Sequence, residues 1–372
     1  MYTIAAFSFF TPQIWNVHDL VNQLKPIRSE LNIIFVAGGP HATGDPVRTV
    51  TKLGFDYAFI GECEVTFPAF ILRIIEGMDL SGLKGICYED DDGSIVNTGQ
   101  SDPVDIAKFT PISIRFGRIG PIEITRGCPY GCSFCQTGHI MGRRIRHRTT
   151  DQLFDILYNM RTKRNAKVFR AIASNALSYG SENGVDLNLP EMEKLLVAVK
   201  EALGPESKIY LGTFPSEVRP DNVTDESIAL LKRFVNNTDL IIGAQSGSDR
   251  ILESSHRGHT VDDVYNAVRI AKKHGFIPNV DFIFGLPGET IEDAEMTIRM
   301  MSDLADMGAR IHAHTFMPLP QTRYEQAPYG RVVQQIRNKV RELTPKGILY
   351  GNWEEQERLS EKIHAYLVKG IL

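Results

Sequence analysis

The chain has 372 residues, a formal net charge of −4 and a pI near 6.2, with 42% hydrophobic and 23% charged residues. That length suits two domains, or one large α/β domain with an extension, and the balanced charge gives no global pull toward nucleic acid or an anionic membrane. No stretch of about 18 apolar residues offers a membrane-spanning helix.

The N-terminus, Met1–Phe10, lacks the basic lead-in of a signal peptide and reads as a buried strand. Residues 1–100 alternate strand and helix, with strands at Tyr2–Ser8, Ile33–Ala37 and Tyr57–Ile60 and helices at Ile14–Lys25, Val47–Leu53 and Phe67–Glu76. Such alternation predicts an open parallel sheet that takes ligands at the carboxyl ends of its strands. The loops Ser8–Thr11, Gly38–Thr43 and Gly61–Thr66 would share that edge. Gly38 and Gly39 suit either the close approach of a ligand or an ordinary turn. Lys84–Asn97 reads as a hairpin turning at Asp90–Gly93, and Asp102–Pro111 as a linker.

Residues 101–328 repeat the alternation. Strands are expected at Pro121–Thr125, Lys167–Ala173, Lys208–Thr213, Asp239–Ala244, Val280–Phe284 and Ile311–Phe316. Helices fall between them at Thr150–Arg161, Leu189–Ala202, Asp225–Val235, Val261–His274 and Thr290–Met307, with Asp225 and Thr260 placed to cap theirs. These six βα units are too many for a small flavodoxin-like sheet and two short of a full barrel. Residues 329–372 hold two helix-like stretches and no further strand.

Three of the five cysteines, Cys128, Cys132 and Cys135, fall within eight residues as C-x3-C-x2-C, at the end of the first strand of the second array. A short loop that wraps three thiolates around one inorganic cluster requires such bunching, and it leaves one iron of a four-iron cluster open. A zinc site would need a fourth Cys or His close by, for which His139 is the local candidate. Cys63 and Cys87 read as buried apolar fillers. The odd cysteine count, the clustering and the missing export signal together predict a reducing cytoplasm. The basic run Arg143–Arg148 suits a phosphate-rich partner such as RNA, a solvated helix start or contacts to an anionic substrate, and it lacks interleaved aromatics.

Placed on a six-unit βα array, the cysteine triplet resembles that of the radical SAM superfamily. The resemblance implies that Cys128, Cys132 and Cys135 hold a [4Fe–4S] cluster whose open iron is chelated by S-adenosylmethionine, giving a radical that takes hydrogen from unactivated carbon. It also implies the residues that face S-adenosylmethionine. Phe134 and Gln136 flank the third cysteine, and Ser216-Glu-Val-Arg219 follows the third strand, with Ser216, Glu217 and Arg219 as contacts. Gln245 and Ser246 belong to the fourth-strand segment Ile241–Asp249, and Leu286 to the fifth-strand segment Phe282–Glu289. Phe316–Thr322 resembles the sixth, with Gln321 where many relatives have glycine. Ala173-Ser-Asn175 stands where the family has a Gly-Glu pair, which leaves Ser174 as the second-strand contact.

Gly38–Thr43 followed by Asp56–Phe67 resembles the cobalamin-binding domain that precedes many radical SAM domains. By that resemblance Ser8, Thr11, Gly38, Gly39, Pro40, His41, Gly61, Glu62, Glu64 and Thr66 face the corrinoid. The chain departs from the pattern in two ways: it begins where such domains have their third strand, and it has no D-x-H-x-x-G motif to ligate cobalt from below.

The fold class implied is α/β: a shortened Rossmann-like cobalamin-binding domain (1–100), a partial (β/α)6 radical SAM barrel (101–328) and a short helical C-terminal region (329–372). The activity implied is C-methylation of an sp3 carbon through methylcobalamin. Ring closure or another rearrangement with the same cofactors is the alternative, and tRNA modification a further one. The methylthiolating relatives that act on tRNA carry a second set of cysteines, which this chain lacks. Size and order resemble archaeal members, among them a glutamine C-methyltransferase of methyl-coenzyme M reductase. That implies a peptide of the reductase alpha subunit as substrate, an electron donor such as ferredoxin or flavodoxin, and no nucleic acid or membrane partner.

Overall fold

The computed structural model describes residues 3–370. Tyr2, expected at the head of the first strand, lies outside the described residues, as do Met1, Ile371 and Leu372. In the first domain β1 (Thr3–Ser8), α1 (Ile14–Leu31), β2 (Ile33–Gly38), α2 (Gly39–Gly44), α3 (Pro46–Thr51), β3 (Tyr57–Phe59) and α4 (Thr66–Glu76) lead into the hairpin β4 (Ile86–Glu89) and β5 (Ile95–Asn97). The sheet runs β1-β2-β3-β4-β5, parallel through β3 and antiparallel beyond.

Three expectations shift here. β1 is an edge strand with Thr3, Ala6 and Ser8 exposed, not a buried one. The helix expected to stop at Lys25 continues through an exposed Pro26 to Leu31, since on that face water replaces the hydrogen bond proline cannot make. Gly39–Gly44, read as a loop, winds into a helical turn at the strand end. Cys87 is fully buried in this domain and Cys63 half-buried, and burial pushes their thiols up to about 11 and about 12, as fits apolar fillers.

The second domain starts with β6 (Ile122–Glu123) and β7 (Thr125–Arg126). It continues through α5 (Thr137–Ile140), β8 (Arg146–His147), α6 (Thr150–Arg164), β9 (Val168–Ile172), α7 (Leu189–Leu203), β10 (Lys208–Tyr210), α8 (Asp225–Phe234) and β11 (Asp239–Gln245). Then come α9 (Asp249–Ser254), α10 (Val261–Lys273), β12 (Ile277–Phe284), α11 (Ile291–Asp306) and β13 (Arg310–Thr315). Every expected strand and helix is found within a few residues. Helix starts follow side-chain chemistry: Thr260 and Thr290 cap α10 and α11 with Asp263 and Asp293 closing the boxes, whereas Thr224, not Asp225, caps α8.

The barrel wall consists of two parallel arcs, β10-β9-β6 and β11-β12-β13, joined where Ile241 N–H donates to Gly212 O at 2.9 Å and Val218 bridges Ile242. Strand and helix faces bury one continuous core including Ile124, Phe169, Leu195, Leu240, Val280 and Leu304. The C-terminal region, expected to be helical throughout, places the short strand β14 (Leu349–Tyr350) beside β13, between α12 (Gln334–Leu343) and α13 (Trp353–Lys369).

The domains are joined by a buried charge network. Glu62, from the loop after β3, accepts Arg126 Nη1 at 2.9 Å and Arg146 Nη2 at 2.5 Å, while Arg126 also pairs with Glu64 and Glu123. Burial alone would raise the Glu62 carboxyl, but the Arg146 and Val104 N–H donors and the Arg126 charge outweigh it and hold the group below the usual carboxylate range. α13 supplies the second tie. Ser360 Oγ donates to Phe316 O at 2.7 Å on the barrel, while Ile363, Tyr366 and Leu367 enter the first domain's core.

Glu62→Ala leaves Arg146 without its carboxylate partner, while Arg126 keeps Glu64 and Glu123; it should cost about 3 kcal/mol, read as a lower denaturant midpoint at neutral pH. Because the folded carboxyl titrates low, its contribution is complete above about pH 4.3 and lost as pH falls through the folded-state value. The gap between the two proteins should therefore narrow in acid. An unchanged midpoint at neutral pH would remove the network as the domain joint.

Candidate active site

The cysteine loop hangs between β7 and β8, which pair antiparallel. Gly127 starts it at φ +94°, where a Cβ would strike Arg144 O at 2.3 Å. Cys128 N–H donates to Gly142 O at 3.1 Å, Ser133 N–H to Ser255 O at 2.9 Å, and Ser174 Oγ to Gly127 O at 2.7 Å, so the loop is held by its own far end, by the turn after α9 and by the segment after β9. Burial raises the Cys128 thiol to about 11 and pushes Cys135 up as well, so binding a metal there would displace those two protons. Among the described residues, the one trio of His, Cys, Asp or Glu ligand atoms gathered within 4.8 Å is Asp281, His312 and His314. The cysteine sulfurs thus stand wider apart than one zinc ion with bonds of about 2.3 Å would draw them, and His139 joins no such group.

A cavity of about 270 Å3 opens beside the loop, lined by Cys128, Cys132, Cys135, Ser174, Arg219 and Arg257 among others. Around it Tyr130 Oη, Arg219 Nη1 and Arg257 Nε are buried without hydrogen-bond partners. The Arg219 guanidinium lies on the Tyr130 ring, 3.5 Å from its centroid. Unpaired buried donors of this kind await a polar ligand. A second cavity of about 270 Å3 shares Phe134, Glu217 and Gln245 with the first and extends to Asp281, His314 and Gln356. Gln245 reaches both because β11 slips register against β12 between Gly243 and Gln245, with Gln245 at φ +75°; a bulge of this kind re-aims a side chain.

Glu217 faces the cavity, yet protein crowds its carboxyl. Burial first, then the neighbouring Asp281, raises it to about 7, against the pull of Arg257 and His312. Beyond Asp281, His312 Nδ1 lies 3.0 Å from its carboxylate and 3.1 Å from His314 Nε2. Gln356 Oε1 accepts Thr315 N–H at 2.8 Å, which turns its Nε2 donor onto His314 Nδ1 at 3.2 Å. A neutral His314 therefore carries its proton on Nε2 and acts as a donor. With His314 Nε2 as donor, His312 Nδ1 accepts from it and cannot also donate to Asp281, so the three groups form a close polar cluster and not a relay.

Residues 122–301 match the radical SAM superfamily, and residues 2–71 match the B12 binding domain. The chain joins a B12 binding domain to a radical SAM domain. An uncharacterized methyltransferase of Pyrococcus horikoshii is 26% identical over 328 residues, covering 84% of this chain and 66% of the relative. A putative methylthiotransferase of Methanocaldococcus jannaschii is 26% identical over 290 residues, covering 76% and 60%. Among solved structures, the radical S-adenosylmethionine methyltransferase TsrM of Kitasatospora setae, with cobalamin and a [4Fe–4S] cluster bound, superposes with a TM-score of 0.67 at 17% identity, covering 89% of this chain and 68% of that one. The chain spans about two thirds or less of the first curated relatives.

The cofactors of this radical SAM family are a [4Fe–4S] cluster, S-adenosylmethionine and cobalamin, and the wide set of soft sulfur donors suits the first of them. Of the residues expected to face S-adenosylmethionine, Phe134, Ser174, Glu217, Arg219 and Gln245 line the cavities. The other four back the wall instead. Gln136 Nε2 donates to Pro320 O at 3.0 Å, Ser216 is fully buried over Thr213, Ser246 accepts Ser248 N–H, and Leu286 packs with Ile251 and Phe316. Asn175, in place of the family's acidic residue, accepts Arg219 N–H at 3.4 Å and so positions that arginine. Gln321 sits at φ +64°, which explains the glycine of relatives, and its Nε2 donates to Thr43 O at 3.0 Å across the domain junction.

The corrinoid residues divide more sharply. Glu62 and Glu64 belong to the arginine network, and Thr66 Oγ1 donates to Lys84 O. Thr11 and His41 are fully buried against each other at 3.1 Å, and burial lowers His41 to about 4. Gly39 is a packing glycine at φ +86°, since a Cβ there would lie 2.8 Å from Ser8 Oγ, and a Cβ on Gly61 would lie 2.7 Å from Ser101 Oγ. Ser8, Gly38 and Pro40 keep open surface at the strand ends, beside Phe10 at 60% exposure. The basic run also turns inward. Arg146 binds Glu62, and Arg148 donates to the backbone of Glu123, Ile106 and Phe109, which leaves Arg143 and Arg144 exposed. Sequence reasoning missed Tyr130, Arg257, Asp281, His314 and Gln356. The alternation of Asp281 with Ile283, and of His312 with His314, was the available signal for a lumen-facing set.

Glu217→Gln removes a carboxyl that the fold holds protonated, so it should stabilise the apo protein as pH rises from about 4.3 toward 7 and by a constant amount above that. Cavity water screens the group, which leaves an effect on the order of 1 kcal/mol. Thermal melts at pH 5 and pH 8 measure it, and equal melting temperatures for variant and wild type at pH 8 would contradict the raised Glu217 carboxyl.

Proposed function

We propose that the chain is a cobalamin-dependent radical SAM C-methyltransferase that methylates an unactivated sp3 carbon of a protein side chain, with a glutamine of the methyl-coenzyme M reductase alpha subunit as the substrate to test first. The observation that carries this reading is the shared wall. Phe134, Glu217 and Gln245 belong both to the cysteine cavity and to the one beyond it, so a group bound at the cysteines and a substrate in the second compartment lie side by side.

When bound, the cluster supplies an electron, S-adenosylmethionine a hydrogen-abstracting radical and the methyl group, and cobalamin the carrier of that methyl. The protein's part is placement. Arg219, clamped on Tyr130 with Nη1 free, suits the carboxylate of the methionine end. Phe134 and Ile283 offer apolar faces to a base, and Glu217 with Gln245 offers acceptors and a donor to ribose hydroxyls. In the second compartment Met317 and Leu319 form apolar wall, while His314 and Gln356 supply polar contacts to a side-chain amide. Keeping a reactive carbon radical away from water requires such a pocket.

The chain reconstituted anaerobically with iron, sulfide and hydroxocobalamin should show a brown iron–sulfur absorbance and a corrinoid spectrum. Given S-adenosylmethionine deuterated in its methyl group, a strong one-electron reductant and a glutamine-containing peptide of the reductase alpha subunit, it should place the labelled methyl on the peptide. Cys132→Ala should lose cluster and transfer together. Unlabelled peptide would reject that substrate, and cofactor consumption with no methyl on any candidate would favour ring closure or rearrangement.

A further inference from the structure

The turn after α9 is tied to the cysteine loop. Ser255 O accepts Ser133 N–H at 2.9 Å, and His256, at φ +53°, sets its Nδ1 3.1 Å from Ser133 Oγ. Ser133 lies between the second and third cysteines, so this turn contacts the loop at its centre. The next residue is Arg257. Its Nη2 donates to Gly243 O at 2.8 Å, and its Nη1 points at Cys132 Sγ at 3.6 Å. Gly243 leaves the room for this, since a Cβ there would stand 2.7 Å from Nη2. Arg257 Nε is buried with no partner. A backbone carbonyl on one side and a sulfur on the other therefore fix the guanidinium in place.

We propose that Arg257 is a positioning residue for the iron–sulfur cluster: its N–H···S bond and fixed positive charge at Cys132 raise the cluster's reduction potential. The inference rests on the radical SAM membership of the chain. Reduction adds one electron to a cluster already carrying thiolate charge, so a buried cation and a donor on one ligand sulfur stabilise the reduced state more than the oxidised one. The electron comes from an external one-electron donor of the flavodoxin class, and no bond to Arg257 forms or breaks. Outer hydrogen bonds to ligand atoms tune metal centres in this way. Arg219 is held differently: its guanidinium lies on the Tyr130 ring with Nε on Asp221 and Nη2 on Gly258 O, and its free Nη1 bonds no cysteine sulfur.

The test compares wild type, Arg257→Gln and Arg257→Lys as full chains reconstituted anaerobically. Iron and sulfide content is measured first, then the midpoint potential by EPR-monitored redox titration without S-adenosylmethionine, then the affinity for S-adenosylmethionine. Arg257→Gln should keep the iron content of wild type and move the midpoint to more negative values. The reduced-to-oxidised ratio at a fixed poise should fall about tenfold, equivalent to about 59 mV for one electron, with Arg257→Lys in between because it keeps the charge. An unchanged midpoint with weakened S-adenosylmethionine binding would assign Arg257 to that ligand and overturn the proposal. Loss of cluster from both variants would make it a structural residue and overturn it too. A wild type that holds no cluster would instead count against the cluster assignment itself.

Discussion

The carboxylate of Glu62 is the point on which both domains bear. It leaves the sheet of the first domain, crosses the junction and ends between Arg126 and Arg146, one on each strand of the hairpin that holds the cysteine loop. The strand ends of one domain and the cluster loop of the other are therefore referenced to the same buried group. Ionic partners suit this task better than apolar packing, because hydrogen-bond geometry fixes direction where a hydrophobic contact would slide. The same network explains why residues expected to face a corrinoid are consumed by the protein: the loop after β3 meets the barrel before it can meet a ligand.

The charges in the hollow are sorted by position. The guanidinium groups of Arg219 and Arg257 lie at the cysteine end, whereas Glu217, Asp281 and the two histidines line the lumen beyond. Anionic groups are favoured at the first and hydrogen-bonding neutral groups at the second. The register slip on β11 puts Gln245 at the boundary, where one side chain serves both compartments.

The far wall of the second compartment comes from outside the stretch that matches the superfamily. His314, Met317, Leu319 and Gln356 all follow residue 301, and α13, which carries Gln356, also anchors in the first domain through Tyr366. A helix that touches the second compartment at one end and the first domain at the other ties the shape of that pocket to the position of that domain.

By itself, the sequence determined the parts whose information is local. Hydrophobic periodicity located the six βα units, Thr260 marked the start of α10, and the spacing of Cys128, Cys132 and Cys135 announced a cluster loop, because three ligands of one small object must be neighbours in the chain. Phe134, Glu217, Arg219 and Gln245 were legible only through the resemblance of the segments that carry them to radical SAM sequences. Tertiary structure alone decided what depends on distant partners. The carboxylates of Glu62 and Glu64 and the imidazole of His41 look like ligand contacts until their neighbours from other elements are known. Arg146 and Arg148 look like a basic patch until both are seen turned inward. Arg257 and Gln356 carry no local signature at all, since what gives each its role is a sulfur 125 positions before it in one case and an imidazole 42 before it in the other. Only the closed barrel brings these groups within hydrogen-bond reach.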